Sequence, residues 1–344
     1  MTLMNILFRL STIIFFILHL SIISHSQDNV KSADKFLGMW TLDIEDETVG
    51  WLHVYNDQGY LDADMMWVGG SVVPVGHIYM ANDKTLVVTR TFDRTIGKDA
   101  KGNDRKHTMA FIARMKRIGD RITGQMVGPD WNGGDERSTA FIGIRLPDVP
   151  NKPDLTNLNF GRPITLFNGR DLTGWRIINP KDKNGFMAQN GELITDPKQP
   201  ESGEYVHYGN LRTEQEFTDF NLTLEVNVPV ENNSGIYLKG MYEVQVYDSY
   251  GKDLDSHNMG ALYSRITPTV NAEKPAGEWQ TFDITLLDRH VTIILNGVTI
   301  IDNQPVYGPT GGAMISDVFA PGPIYLQGDH GNVKYRNIVI RPII

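Results

Sequence analysis

The chain has 344 residues, 32 Lys and Arg against 41 Asp and Glu, a formal net charge of −9 and no cysteine. Zero cysteines exclude disulfides, thiol nucleophiles and cysteine metal sites together, and an acidic chain is a poor partner for nucleic acid or anionic membrane surfaces. The length exceeds the roughly 100–200 residues usual for one domain, so two domains are expected, each able to bury its own core.

Residues 1–26 read as a secretory signal peptide. Arg9 is their only charge, an apolar run from Leu10 to Ile23 follows, and Ser24-His25-Ser26 offers small residues at the cleavage positions ahead of Gln27-Asp28-Asn29. The run is shorter than the roughly 20 residues of a membrane span, and His19 and Ser21 interrupt it. The expected location is therefore periplasmic or extracellular, with no membrane span after cleavage.

Residues 27–147 show eight strand-like runs: Leu37–Ile44, Val49–Tyr55, Tyr60–Val68, Val72–Met80, Thr85–Phe92, His107–Ile118, Arg121–Val127 and Ser138–Leu146. Asn56-Asp57-Gln58-Gly59, Ala81-Asn82-Asp83-Lys84 and Ile118-Gly119-Asp120 fall between runs, where Asn, Asp and Gly tolerate positive φ. Eight sequential strands on short turns predict an up-and-down barrel. Gly38-Met39-Trp40 resembles the Gly-x-Trp opening of lipocalin-like barrels. Trp51, His53 and Tyr55 share one face of the second run and read as ordinary barrel filling or surface.

Pro147, Pro150 and Pro153 stand among Asp and Asn. Proline removes backbone donors and stiffens the chain, so residues 148–160 read as a linker. Residues 161–344 are again rich in strands. In Phe220–Val228 the residues Leu222, Leu224, Val226 and Val228 alternate with Thr223, Glu225 and Asn227; Thr281–Leu287 and His290–Leu295 flank Asp288-Arg289 as a hairpin. Long alternating strands predict a two-sheet jelly roll. The fold class is thus all-β throughout.

This last segment resembles the 3-keto-disaccharide hydrolase family, a concanavalin-like jelly-roll group. The matching stretches run in order: Leu166-Phe167-Asn168-Gly169, Asp171-Leu172-Thr173-Gly174-Trp175, Asn190-Gly191-Glu192-Leu193, Asn233-Ser234-Gly235-Ile236, Tyr242 to Asp248, Gly260-Ala261-Leu262-Tyr263, Leu295-Asn296-Gly297 and Gly322 to Gly331. The resemblance covers Ile164–Pro342 and not the N-terminal barrel. It implies a carbohydrate substrate carrying a ketone at C3. Such a ketone acidifies the C2 proton, so a base can remove it, the enolate can expel the C1 substituent, and water can add back. That route needs a base, a donor or cation for the enolate oxygen, and an acid for the leaving group.

Strand parity places Glu243, Gln245 and Tyr247 on one face and Tyr242, Val244 and Val246 on the other, apolar one. His330 is the leading base or acid: its ordinary pKa suits proton transfer near neutrality, and the glycines of Gln327-Gly328-Asp329-His330-Gly331 are expected to turn the backbone sharply. Glu243 is second, as base or polar anchor. Gln245 and Gln327 suit sugar hydroxyls. Lys239, sharing parity with Tyr237, and Arg336 are candidates to stabilise the enolate, Arg336 also to pair with Asp248. Tyr263 can stack on or donate to a sugar ring. Asp248 falls on the core-facing parity unless the strand end re-aims it. Trp279 reads as core.

No cofactor is implied with certainty. His207, His257, His290 and His330 lack close ligand spacing, and Asp248, Asp253 and Asp255 do not complete a calcium loop, yet a divalent cation is a reasonable enolate stabiliser. Two rivals remain open. One is a carbohydrate-binding protein without chemistry. The other is a conventional retaining glycoside hydrolase, disfavoured because Gln245 replaces the middle acid of the Glu-x-Asp-x-x-Glu strand of β-glucanases.

Overall fold

The computed structural model describes residues 33–45, 48–130 and 134–344. The expected signal peptide lies outside them. Among the described residues no helix is long and apolar enough to cross a membrane. The chain divides into two compact units: one takes most of the chain up to Arg145, the other takes Leu146–Ile344 together with residues 41–51 and 66–72.

The N-terminal sheet holds β1 (Gly38–Ile44), β2 (Thr48–Asp57), β3 (Tyr60–Met66), β4 (Val73–Pro74), β5 (His77–Asn82), β6 (Thr85–Lys98), β7 (Asp104–Ile118), β8 (Arg121–Pro129) and β9 (Glu136–Arg145). Their order is β4-β3-β2-β1-β9-β8-β7-β6-β5. Sequential strands pair, except β4 and β5, and the first lies beside the last, but the expected closed eight-stranded barrel is not found. The sheet has nine strands and is open, with β4 and β5 at its two ends. The run read as a single strand, Val72–Met80, breaks at Val75-Gly76. Val75 N–H bonds Ala63 O on β3, whereas Gly76 N–H bonds Thr89 O on β6. The chain therefore crosses covalently from one end of the sheet to the other, and Pro74, lacking an N–H, cannot prolong the pairing.

The C-terminal strands form two sheets, as alternation predicted. One contains β10 (Ile164–Thr165), β12 (Phe186–Gln189), β13 (Glu192–Thr195), β15 (Phe220–Asn227), β18 (Trp279–Leu287), β19 (His290–Leu295), β20 (Val298–Pro305) and β22 (Lys334–Pro342), in the order β12-β13-β22-β15-β18-β19-β20 with β10 also beside β22. The other contains β11 (Trp175–Ile177), β14 (Leu211–Thr213), β16 (Asn233–Leu238), β17 (Tyr242–Tyr247) and β21 (Tyr325–Leu326), in the order β11-β14-β21-β16-β17. Leu222, Leu224 and Val226 of β15, Phe282 and Ile284 of β18, and Val244 and Val246 of β17 are all buried. Each fully buried apolar side chain contributes about 1.5–3 kcal/mol.

Turn chemistry fixes the registers. Asp288 and Arg289 both take positive φ, +46° and +58°, between β18 and β19, the conformation a two-residue hairpin requires. Trp279 departs from expectation: it is half-buried, and the Arg336 guanidinium lies 3.9 Å from its ring centroid. It sits at the start of its strand, where a stacked cation covers the ring instead of the core.

Candidate active site

β16 and β17 lie side by side with Tyr237 opposite Glu243, Gly235 opposite Gln245 and Asn233 opposite Tyr247. Directly opposed residues of an antiparallel pair share a face, so Asn233, Gly235 and Tyr237 join Glu243 and Gln245 on the polar side. β17 is the edge strand of its sheet, yet its outer backbone is covered. Gln245 N–H bonds Ala261 O at 2.9 Å and Tyr263 N–H bonds Glu243 O at 3.0 Å. The polar face is consequently an enclosed wall. Glu243 and Gln245 are each only 4% exposed.

A pocket of about 290 Å³ opens here, with walls that include Asn210, Asn233, Tyr237, Glu243, Gln245, Tyr263, Gln327, Asp329 and His330. That size is near the lower end of small-molecule sites, which run about 300–1,000 Å³. Burial pushes the Glu243 carboxyl up to about 8, with smaller opposing effects from a hydrogen bond to Tyr237 and the charge of His330. Desolvation of the ionised form is the cause. The shift favours the protonated carboxylic acid near neutral pH. Room for it comes from Gly235, where a Cβ would lie 2.4 Å from Glu243 Oε1.

Asp329 accepts a hydrogen bond from His330 Nδ1. This bond is the largest cause raising the His330 pKa above its ordinary value; burial opposes it, the charge of Asp329 adds to it, and Glu243 adds to it only when ionised. Nδ1 being engaged, Nε2 is the nitrogen left to act. The loop that carries the pair is fixed from several sides. Gly328 N–H bonds Asn210 Oδ1 at 3.0 Å, Asn332 N–H bonds Asn232 Oδ1 at 2.7 Å, and Gln327 N–H bonds Gly235 O at 3.1 Å. The Tyr335 hydroxyl donates to Ser234 Oγ, which donates to Gln327 O at 2.8 Å. Gly328 and Gly331 are needed for close approach and not for the sharp turning expected of them: neither has positive φ. A Cβ at Gly328 would lie 2.3 Å from Gly209 O, and one at Gly331 2.4 Å from Asn232 Oδ1.

Two acceptors in the pocket have no partner among the described residues, Gln245 Oε1 and Asn233 Oδ1. The Gln245 amide nitrogen already donates to His257 O at 3.2 Å. Tyr237 stacks on Tyr325 at 3.8 Å between ring centroids, and its hydroxyl donates to Gly311 O. Among the described residues no group of three or more His, Asp or Glu is arranged to hold a metal ion.

Of the residues expected to act, the pocket gathers His330, Glu243, Gln245, Gln327 and Tyr263. Three fall elsewhere. Lys239 follows the last residue of β16 and takes φ +56°. The left-handed turn ends the strand parity, and its ammonium donates to Val318 O at 2.6 Å beside a different cavity. Asp248 lies beyond β17 and accepts from Glu231 N–H at 2.9 Å. Arg336 pairs with Glu225 across the other sheet, so it neither meets Asp248 nor reaches the pocket. Asn210, Asn233, Tyr237 and Asp329 were missed. Cross-strand register would have found Asn233 and Tyr237.

A family model described as the 3-keto-alpha-glucoside-1,2-lyase-like domain matches residues 162–341, slightly more than half of the chain. The chain belongs to this family. Membership makes the matched domain a carbohydrate-acting one of the glycosidic-bond-cleaving kind. Among solved structures, a protein of Parabacteroides distasonis provisionally named a glycosyl hydrolase is 28% identical, over 55% of this chain and 92% of its own, with a TM-score of 0.44. A second protein of that organism, named likewise, is 20% identical over 52% and 92%, with a TM-score of 0.43. Among curated proteins none matches significantly.

Proposed function

We propose that this chain cleaves 3-keto-α-glucosides by elimination across C1 and C2, followed by addition of water. The observation that carries the reading is a buried Glu243, its pKa pushed up to about 8, sharing one small pocket with a histidine whose Nδ1 is held by a carboxylate. His330 Nε2 takes the proton from C2. The C–H electrons form the enolate, which collapses to expel the C1 oxygen and leaves a C1=C2 double bond conjugated to the restored ketone. Glu243 gives its proton to the departing oxygen. Water then adds at C1, giving a proton to the Glu243 carboxylate, and His330 returns a proton to C2. A carboxylic acid kept neutral by burial is suited to this donation.

Gln245 Oε1 and Asn233 Oδ1 fit the reading as acceptors for sugar hydroxyls, because a buried acceptor without a partner is costly until a ligand supplies the donor. A retaining glycosidase would need two free carboxyl groups about 5–5.5 Å apart. The second carboxylate of this pocket, Asp329, is engaged by His330. No step is routed through a metal ion. We also propose that the protein is exported through cleavage after Ser26.

The test is turnover. Methyl 3-keto-α-glucoside should release methanol, and methyl α-glucoside should not. Binding of both sugars without release would favour a carbohydrate-binding protein, and release from the unoxidised glucoside would favour a conventional glycosidase.

A further inference from the structure

Tyr242 and Glu243 are neighbours on β17, and alternation sends their side chains to opposite faces. Glu243 faces the pocket already described; Tyr242 faces another, of about 130 Å³, that also meets Lys239, Arg289 and Asp219. Both basic residues there are buried, Lys239 at 6% exposure and Arg289 at 7%. Among the described residues neither forms a salt bridge. Arg289 uses Nη1 alone, donating to Pro147 O at 2.9 Å and Asp148 O at 3.2 Å. Its Nε and Nη2 and the Tyr242 hydroxyl are buried without a well-formed hydrogen bond, the guanidinium lying close enough to the hydroxyl to oppose the rise that burial gives its pKa.

These free groups make a pattern. Nε and Nη2 form the edge of a guanidinium that meets two oxygens of one group side-on. Lys239 spends one bond on Val318 O and has two N–H groups more. Two carboxyls act on the ammonium through their charge: Asp219, which lines the cavity and accepts from Asp288 N–H, and Asp317; Asp288 itself is exposed. A buried guanidinium without an ion pair is costly to keep, and polar groups so placed normally have a partner.

We propose that this cavity binds a small oxyanion presenting two oxygens on one centre, gripped by Arg289 Nε and Nη2 with the Tyr242 hydroxyl and the Lys239 ammonium as further donors. A carboxylate and a sulfate or phosphate share this chemistry. The site is separate from the sugar pocket and does not depend on the reaction assigned there.

Calorimetry on the full chain at constant ionic strength, with sodium acetate, sodium sulfate and sodium chloride as probes, tests it. Saturable binding of acetate or sulfate but not chloride is expected. Acetate alone identifies a carboxylate ligand, sulfate alone an inorganic one, and both the shared chemistry. Arg289→Lys keeps the charge and loses the fork, and should weaken binding at least about tenfold. Tyr242→Phe removes one hydroxyl and should weaken it about three- to tenfold, which decides the matter if the arginine variant does not fold. No saturable binding, or equal binding by wild type and Tyr242→Phe, overturns the proposal.

Discussion

The carboxyl group of Glu243 lies over the bare Cα of Gly235, so close that a Cβ there would stand 2.4 Å from Oε1. The glycine is required by its neighbour's side chain and not by its own backbone angle, which is not of the left-handed kind. Gly235→Ala must therefore push Glu243 aside. Displacing a reacting group by about 1 Å can cost on the order of a hundredfold in rate. We expect kcat on a 3-keto-α-glucoside to fall by that order while the circular dichroism spectrum is unchanged. Wild-type turnover in this variant would show that the position of Glu243 does not matter.

The pH-rate profile should be bell-shaped. Below the raised pKa of His330 the base is protonated and idle; above about 8 Glu243 has lost the proton it must give. Glu243→Gln should lower kcat and abolish the alkaline limb. A limb near 8 persisting in that variant would belong to another group.

Stability should show the same carboxyl from the folding side. Its folded pKa of about 8 lies above the ordinary 4.5, so the folded state binds the extra proton between those values. Stability contributed by the protonated group is full below about 4.5 and is lost as pH rises through about 8. At about 1.4 kcal/mol per unit the loss is at most about 5 kcal/mol. Glu243→Gln, measured by urea unfolding from pH 5 to 9, should flatten this decline. Parallel declines in wild type and variant would contradict the burial argument.

Asp329 is a positioning residue in this scheme. Asp329→Asn should lower the His330 pKa, moving the acidic limb to lower pH, with a smaller loss of kcat than the about 10²–10⁴-fold expected for His330→Ala. An unmoved acidic limb would mean that another group sets it.

N-terminal sequencing of secreted protein should find Gln27 first. Retention of Met1 or Arg9 would make the leading segment something other than a cleaved signal.

The apolar architecture was the most legible part. Leu222, Leu224 and Val226 announce a one-sided strand, and Asp288-Arg289 announces its hairpin, because period and turn chemistry are local properties. Polar elements were harder. β6 and β7 extend to Lys98 and back from Asp104, through exposed residues whose sequence carries no alternation, around a turn held by Asp99 accepting from Lys101 and Asn103 N–H. Lys239 was misplaced because parity says nothing about where a strand stops: one residue at φ +56° re-aimed it. Arg336 found Glu225, a partner 111 residues away that only sheet order brings near. The depth of the site was also hidden. Parity put Glu243 on the polar face, but the segment around Ala261 that covers this edge is fixed by backbone bonds that no side-chain pattern reports.

The fate of the hydrogen at C2 tests the mechanism most directly. Methyl 3-keto-α-glucoside turned over in deuterium oxide, with an enzyme-free control for spontaneous exchange, is followed by proton NMR at C2 of the released sugar. Elimination and hydration through His330 predict deuterium there, carried in wherever the Nε2 proton exchanges with solvent before it is returned, a rate that falls when C2 carries deuterium in the substrate, and release slowed about 10²–10⁴-fold with His330→Ala. Product that keeps its original C2 hydrogen, together with equal rates for substrate carrying hydrogen or deuterium at C2, would mean that the glycosidic bond breaks without proton abstraction there.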